Sequence, residues 1–349
     1  YYVNDVVAPL KTMLETDLAW SSTDFGFFTG GYSFLNVFFL MLIWGGLILD
    51  RFGIRFTGKL ATILMVGGTA LEYYAMTGLA GADATLFGIN EIFGYKTGVF
   101  VAFAGYSIFG VGAEVAGITV SKIIAKWFKG KELATAMGVQ VALARIGSQA
   151  GYAVAIPLAR AFGISTPVLL GLVLLLGGMI AFFIFAVMDK KLDKQMEAAA
   201  IAAGTEDEEE KFSFKDVKNI LVNPGFWLIA LLCVLFYSCV FPFQKFASEL
   251  MIIKYGINEN VAGTFAGLPA LGALILTPVF GSFIDKRGKS ASIMLLGSAM
   301  LICVHFIYAI PDINYWLVAI VLMIILGIAF SLVPSAMWPA VAKIFPVSQ

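Results

Sequence analysis

Long apolar segments recur along almost the whole chain and constrain its fold more than any other feature. After an initial apolar stretch that ends near Met13, each further segment is long enough to cross a bilayer as a helix, which takes about 20 residues. The helix is favoured because lipid offers no hydrogen-bond partners to an open backbone. The sequence therefore predicts an all-α polytopic membrane protein of about ten helices, the first incomplete. The later segments span approximately residues 24–49, 57–80, 97–124, 132–160, 165–188, 225–247, 259–284, 290–310 and 313–342.

The composition agrees with a membrane protein. Of the 349 residues, 60% are hydrophobic and only 13% are charged, against about 25% in soluble domains. The single His and the three Cys, all in apolar runs, exclude a disulfide framework and a Cys/His zinc site. We therefore expect no metal, no cofactor and no nucleic-acid partner, and a lipid bilayer as the surroundings.

The Lys and Arg residues alternate between loops and so predict the topology. Seventeen of the 23 fall in one set of alternate loops, which includes the loop at residues 50–59 and the central loop at 189–222. The positive-inside rule places that set in the cytoplasm. The central loop divides a six-helix N-terminal bundle, 1–188, from a C-terminal bundle, 223–349, that holds helices seven to ten. Because the chain begins and stops beside apolar segments, we expect it to be truncated at both ends, without helices eleven and twelve.

Two charges stand within predicted helices four and five. A carboxylate, Glu114, and a guanidinium, Arg145, each cost several kcal/mol at mid-membrane depth unless they find a partner, so such residues usually line a substrate path. A zwitterionic peptide would suit both, since Arg binds carboxylates through a planar fork and Glu binds amines. A structural ion pair between Glu114 and Arg145 is the alternative, and the residues alone leave both open.

A loop motif occurs twice, once in each predicted half. The shared pattern is G-x-x-x-D-[RK], followed by a further Gly and a further cation. We expect the glycines to allow close approach of helices and loop, and the Asp to bond to a neighbouring helix N-terminus. The first copy comprises Gly46, Asp50, Arg51, Gly53 and Arg55, and the second comprises Gly281, Asp285, Lys286, Arg287 and Gly288.

Both motif copies resemble the loop signature of the major facilitator superfamily, whose two six-helix bundles rock around a midplane site. A narrower set of stretches is similar to the lysosomal dipeptide transporter branch of that family. In that branch an acid on helix four and an arginine on helix five bind the two ends of a dipeptide, which implies these roles for Glu114 and Arg145. The narrower set comprises 32–37, 112–114, 127–133, 144–148, 240–243 and 338–339.

Other polar and aromatic residues on the helices around the expected cavity are weaker candidates for substrate contact. For most of them, hydrogen bonding between helices is an equal or better explanation. Pro242 is expected to break helix seven and let a gate bend, although passive kinking remains open. The candidates are Gln149, one turn beyond Arg145, Trp338 as a pocket wall, and Tyr32, Asn36, Asn4 and Tyr237.

The sequence also departs from the superfamily pattern. Tyr106 stands where many proton-coupled members carry an arginine, and helix five lacks a Gly-Pro-rich antiporter motif. Both differences favour a facilitator. The predicted function is transport of dipeptides or similar small zwitterions by alternating access, with an organic anion carrier or proton-coupled transporter as the alternative.

Two classes outside transport are less favoured. A membrane enzyme lacks a Ser/His or Cys/His constellation, and a non-transporting receptor is a weak alternative. The resemblance implies a lysosomal membrane in a eukaryote and the plasma or inner membrane in a prokaryote. Whether an accessory subunit takes part is left open.

Overall fold

The computed structural model describes residues 1–81, 84–128, 132–203 and 222–344. The chain divides into two compact units. The first unit comprises Tyr2–Gln140 and Pro157–Asp207, and the second comprises Val141–Ile156, Glu208–Gln349 and Tyr1. The middle of the fifth predicted helix thus belongs to the second unit, and the predicted bundle boundaries at 188 and 223 stay a prediction.

Helices form almost all of the described chain, and each of the ten predicted segments contains one. A short 3-10 turn, Ala8–Leu10, joins the first two helices, and a two-stranded hairpin precedes α5. The helices are α1 (Tyr2–Val6), α2 (Lys11–Asp17), α3 (Ser22–Phe38), α4 (Met41–Thr77), α5 (Thr97–Trp127), α6 (Leu133–Phe162), α7 (Thr166–Ala203), α8 (Pro224–Ile253), α9 (Glu259–Ala266), α10 (Leu268–Arg287), α11 (Ser290–Ala309) and α12 (Trp316–Ile344), and the strands are β1 (Glu91–Ile92) and β2 (Tyr95–Lys96).

Hydropathy alone does not detect all of these helices as membrane spans. Among the described residues, six are long and apolar enough to cross a membrane, or seven if α3 and α4 form one broken span. Three differences account for the larger number of predicted segments: the first segment holds only the short helices α1 and α2, α3 and α4 count as one bent pair, and α6 is not among the spans.

The second predicted segment, 24–49, is not one straight helix. It breaks between Phe38 and Met41, where Leu40 has a φ of 51° and the axis bends by 58°. The α4 helix then continues past the predicted boundary, although Gly53 is non-helical, with a φ of 74° that glycine adopts without penalty.

Two other breaks and one extension differ from the predicted bounds. The first segment is interrupted at Pro9, and the eighth divides into α9 and α10 at Gly267, two residues before Pro269. Proline lacks the N–H that a continuous helix would need. The α7 helix runs to Ala203, past the predicted end at 188, and residues 204–221 of the predicted central loop lie outside the described residues.

The expectation that Pro242 breaks its helix is wrong. The α8 helix continues through this residue from Pro224 to Ile253. A proline removes one backbone hydrogen bond and crowds the preceding turn, and a long apolar helix keeps its remaining bonds because lipid supplies no alternative partners.

Small residues bring α4 and α5 into backbone contact within the first unit. A Cβ added to Gly105 would lie 2.6 Å from the carbonyl of Gly68, and one added to Gly112 would lie 2.7 Å from the carbonyl of Ala61. Helices that approach this closely gain dispersion contacts, which drive association in lipid. A larger residue at Gly105 or Gly112 would therefore force these helices apart.

A buried lysine at the start of α2 binds polar side chains of α2 and α3. The Lys11 ammonium is 1% exposed and donates to Glu15 at 2.8 Å and to Ser22 at 2.7 Å. The Ser22 hydroxyl also donates to Glu15 at 2.7 Å. The three groups join α2 to the beginning of α3.

Acidification is expected to weaken this contact. Hydrogen bonds from Lys11 and Ser22 hold the pKa of Glu15 below its ordinary value of 4.5. Because the folded-state pKa is lowered, the stabilisation is complete above pH 4.5 and is lost as the pH falls through the folded-state value. The thermal unfolding midpoint should therefore decrease in this acid range, and Glu15→Gln should reduce the pH dependence. The matched control is Asp17→Asn on the same helix; an equal reduction there would contradict the assignment.

Candidate substrate-binding site

Glu114 lies on α5, where the backbones of α3 and α5 meet. A Cβ on Gly110 would clash with the carbonyl of Tyr32, and one on Gly31 would lie 2.7 Å from the carbonyl of Phe103. This close approach places the Tyr32 hydroxyl beside the half-buried Glu114, and the hydroxyl donates to Glu114 Oε1 at 2.8 Å. Within the described residues of the first unit, Glu114 forms no salt bridge with a Lys or Arg.

Aromatic rings surround this hydrogen bond. The Tyr32 ring centroid lies 5.6 Å from that of Tyr106 and 6.2 Å from that of Phe109. Tyr106 is fully buried, and its hydroxyl donates to the Asn4 backbone carbonyl at 2.6 Å. Asn36 donates its amide to the Tyr32 carbonyl at 3.2 Å. Tyr32 thus contacts Glu114 directly, whereas Asn4 and Asn36 bond to tyrosines.

Arg145 lies in the part of α6 that belongs to the second unit. Its guanidinium carbon stands 5.0 Å above the ring centroid of Phe330 on α12, a cation–π contact. Within the described residues of that unit, Arg145 forms no salt bridge with a carboxylate. The guanidinium is therefore held by an aromatic surface that leaves its hydrogen-bond donors available.

Phe330 belongs to a larger aromatic cluster of α8 and α12. Its centroid lies 6.4 Å from those of Phe236 and Tyr237 and 6.2 Å from that of Phe241. The Trp338 side chain lies beside that of Tyr237. Trp338 is 57% exposed. The cluster thus joins Tyr237 and Trp338 to the aromatic surface below Arg145.

Gln149 contacts a neighbouring helix. Its amide donates to the Thr264 carbonyl on α9 at 3.3 Å. A Cβ on Gly267 would clash with the Gln149 side-chain oxygen. Hydrogen bonding between helices, one of the two interpretations left open by the sequence, is therefore present, and a role for Gln149 in substrate contact stays a prediction.

The first loop motif forms ion pairs at one end of the first unit. Asp50 pairs with Lys122 of α5 at 2.8 Å, not with a helix N-terminus, and both side chains are largely exposed. Arg51 stands over the ring of Phe52 at 5.5 Å. A Cβ on Gly46 or Gly53 would meet no described atom within 4 Å. The expectation that these two glycines allow close approach is therefore wrong. Gly53 instead provides a positive φ, which glycine adopts more easily than other residues.

Arg55 belongs to a network that the sequence reasoning did not foresee. It pairs with Asp189 of α7 at 3.1 Å and also with Asp193. Lys126 of α5 pairs with Asp189 at 2.7 Å and with Asp193 at 2.5 Å, while the Trp127 indole donates to Asp189 at 3.1 Å. The Asp189 side chain is 0% exposed, so its charge depends on these partners.

The second motif copy shows less of its predicted geometry. Arg287 stands over the Phe283 ring at 5.1 Å, and Gly288 has a φ of 66°. A Cβ on Gly281 would meet no described atom within 4 Å, so close approach is wrong here too. The side chain of Asp285 lies outside the described residues. The common property of the two copies is a glycine with positive φ at the end of the motif.

Comparison with known proteins decides the family. A sequence model of the Major Facilitator Superfamily matches residues 1–349. The chain belongs to the Major Facilitator Superfamily. It is therefore a multi-pass membrane transporter and not an enzyme, and its resemblance to this superfamily is confirmed.

Within the superfamily, the curated relatives share one name. The chain is 28% identical to the "Lysosomal dipeptide transporter MFSD1" of Homo sapiens over 363 residues, which covers 100% of this chain and 71% of the relative. The Gallus gallus protein of that name is 32% identical over 258 residues, covering 70% of this chain and 55% of the relative.

Solved structures of superfamily members confirm the predicted fold class. The crystal structure of a D-xylose–proton symporter has a TM-score of 0.60 at 17% identity and covers 99% of this chain and 80% of that protein. The partially occluded inward-open xylose transporter XylE from E. coli has a TM-score of 0.61 at 18% identity, with 99% and 82% covered. At these identities the likeness concerns the fold alone.

Sequence reasoning missed several residues of this superfamily member. Phe330 is one apolar residue among many in α12, and nothing in the sequence marks it as the platform for Arg145. Asp189 and Asp193 offered a usable signal, since two acids four residues apart share one helix face beside a lysine-rich helix end.

Proposed function

We propose that this transporter moves dipeptides or similar small zwitterions across the membrane by alternating access, as a facilitator. Glu114 binds the ammonium end and Arg145 binds the carboxylate end. The two ends of an extended dipeptide are roughly 7 Å apart, at about 3.5 Å per residue. Binding through the termini requires no contact with the substrate side chains, so dipeptides of many sequences could bind.

One observation carries this proposal: each charge is held by uncharged groups of its own unit. Tyr32 hydrogen-bonds to Oε1 of Glu114, which leaves Oε2 for an ammonium. Phe330 supports the face of the Arg145 guanidinium, which leaves the in-plane donors for a carboxylate. A charge within a membrane-spanning helix is costly without an opposite charge, and a zwitterionic ligand would offset that cost at both places.

The facilitator mode is supported by Tyr106. At a position where many proton-coupled members carry an arginine, this chain has a buried tyrosine that hydrogen-bonds to Asn4. The names of the curated relatives support the dipeptide assignment. By the positive-inside rule, we expect the basic segment 50–59, which lies within α4, and the central segment 189–222 to face the cytoplasm. The membrane would be lysosomal in a eukaryote and the plasma or inner membrane in a prokaryote.

A carrier of organic anions is the second candidate. Arg145 on its aromatic platform would suffice to bind a monocarboxylate, and Glu114 would then titrate during transport. The two functions differ in what they require of Glu114. A dipeptide needs its negative charge, whereas a monocarboxylate does not.

Glu114→Gln separates the two candidates. We expect dipeptide binding to weaken by roughly 10- to 100-fold, since a hydrogen bond between charged groups contributes about 1.5–3 kcal/mol. Ligand-induced shifts of the unfolding midpoint and uptake into proteoliposomes measure this, with dipeptides and monocarboxylates tested in parallel. The matched control is Glu91→Gln on the exposed hairpin. Unchanged dipeptide binding, or an equal loss for monocarboxylates, would contradict the dipeptide assignment.

A further inference from the structure

Two consecutive turns between α4 and α5, residues 86–96 and here together called the hairpin, expose two phenylalanines in an unusual backbone conformation. Phe87 is 96% exposed and Phe93 is 89% exposed. Each is followed by glycine, and in both Phe-Gly pairs the two residues have positive φ, at 55° and 81° and at 51° and 80°. Leu86 pairs with Ile89 and Ile92 pairs with Tyr95 across these turns. Both are therefore tight turns of the mirror-image kind.

Such turns ordinarily carry asparagine or aspartate before the glycine. A bulky residue at positive φ is an outlier, because its Cβ crowds the backbone. Here the same unfavourable choice occurs twice within seven residues, and both side chains are almost fully exposed. Strained positions that persist are associated with function. Because phenylalanine occurs at both strained positions, we infer that the two rings contact another surface.

Stacking and hydrogen bonds hold the hairpin against α3, α5 and the segment before α3 in the first unit. The Tyr95 ring stacks on Phe27 of α3 with centroids 3.9 Å apart, and Lys96 donates to the Ala19 carbonyl at 2.5 Å. The Thr97 hydroxyl donates to the Ile89 carbonyl at 2.8 Å, which ties the first turn to the start of α5. These contacts hold the two turns, and therefore Phe87 and Phe93, in place.

The position of Phe93 along α5 indicates what the rings meet. Its centroid lies 6.0 Å from that of Phe100 in the first turns of α5. Phe100 precedes Lys122 by 22 residues, or about 33 Å of helix. Lys122 forms an exposed ion pair at the opposite end of this span. Since the hydrocarbon core is about 30 Å thick, Phe93 stands at the far boundary of the bilayer.

From this depth, the exposure and the backbone conformation, we propose that the hairpin is a membrane-surface anchor. Phe87 and Phe93 insert into the headgroup and upper acyl region of the leaflet on that side. The occupant of this surface is the same bilayer that α5 crosses, so the contact continues the lipid-facing surface of the helix. Apolar rings beside a charged residue, Glu91, are a combination suited to this interface.

Tryptophan scanning of the protein in liposomes tests the anchor. Phe87→Trp and Phe93→Trp each add one indole, and Glu91→Trp on the same hairpin is the matched control. Fluorescence is compared with that of the unsubstituted protein, with iodide in the water and with lipids that carry a doxyl quencher near the headgroup. We expect the indoles at 87 and 93 to be quenched by doxyl lipid and to be about threefold less accessible to iodide than the indole at 91.

Every other outcome overturns the anchor. Equal iodide access at 87, 91 and 93, without doxyl quenching, would mean that the turns stand in water. Protection from both iodide and doxyl lipid would mean that protein covers the rings, which identifies a protein-binding surface. Circular dichroism of each variant, expected to match the parent, shows that the helices are intact.

Discussion

Arg145→Ala is expected to weaken dipeptide binding by roughly 100-fold, because the substrate carboxylate loses its charged hydrogen-bond partner. Arg145→Lys should recover only part of the loss, since an ammonium is a point charge that does not form the planar, bidentate pair or stack in the same way on Phe330. Ligand-induced stabilisation and proteoliposome uptake measure both variants.

The control for Arg145 lies on the same helix. Arg160→Lys alters an exposed arginine in the last turn of α6 and should change uptake little. The anion-carrier alternative also predicts loss in Arg145→Ala, so this experiment tests whether Arg145 binds a carboxylate at all. Full uptake by Arg145→Ala would refute both candidate functions while leaving the family assignment intact.

Asp189→Ala is expected to have the largest effect on stability. Its fully buried carboxylate faces Arg55, Lys126 and the Trp127 indole. Removing one partner of a buried ion pair costs about 3–5 kcal/mol when the other charge is left buried and uncompensated. Arg55 and Lys126 are 40% and 25% exposed and both keep Asp193 as a partner, so we expect a smaller cost, about 1.5–3 kcal/mol. Asp189→Asn, which keeps the shape and one acceptor, should cost less than Asp189→Ala. Chemical unfolding in detergent measures these differences.

Asp193 is the matched control for Asp189. It binds the same two cations from one turn further along α7, yet its side chain is 40% exposed. Exposed ion pairs contribute about 0–1 kcal/mol. Asp193→Ala should therefore cost much less than Asp189→Ala. If the two variants are equally stable, burial is not what makes Asp189 important.

Periodic and compositional patterns predicted the fold well. Ten apolar segments each contain a helix, and the repeated loop motif led to the superfamily that the whole-chain match confirms. The failures concern single backbone positions. The break at Leu40 was missed, and the break expected at Pro242 does not occur. Whether a helix breaks at a given residue depends on whether its surroundings satisfy the backbone hydrogen bonds that a break would free.

The candidate site was predictable as a set of residue types but not as contacts. Glu114 and Arg145 are conspicuous because charges are rare in apolar helices. That Tyr32 would reach Glu114 depends on Gly31 and Gly110, which allow α3 and α5 to touch. No local pattern specifies such a pairing, since it joins residues 82 positions apart.

By itself, the sequence determined that this chain is a helical membrane protein, because the length and polarity of each segment decide what lipid can accommodate. It also singled out the two charges that most require an explanation. Only the tertiary structure decided what holds them, a tyrosine hydroxyl for Glu114 and an aromatic face for Arg145. It also revealed the acids Asp189 and Asp193 that pair with Arg55. The reason is physical, since the free energy of a buried charge depends on its neighbours in space, and helix packing brings those neighbours from distant parts of the chain.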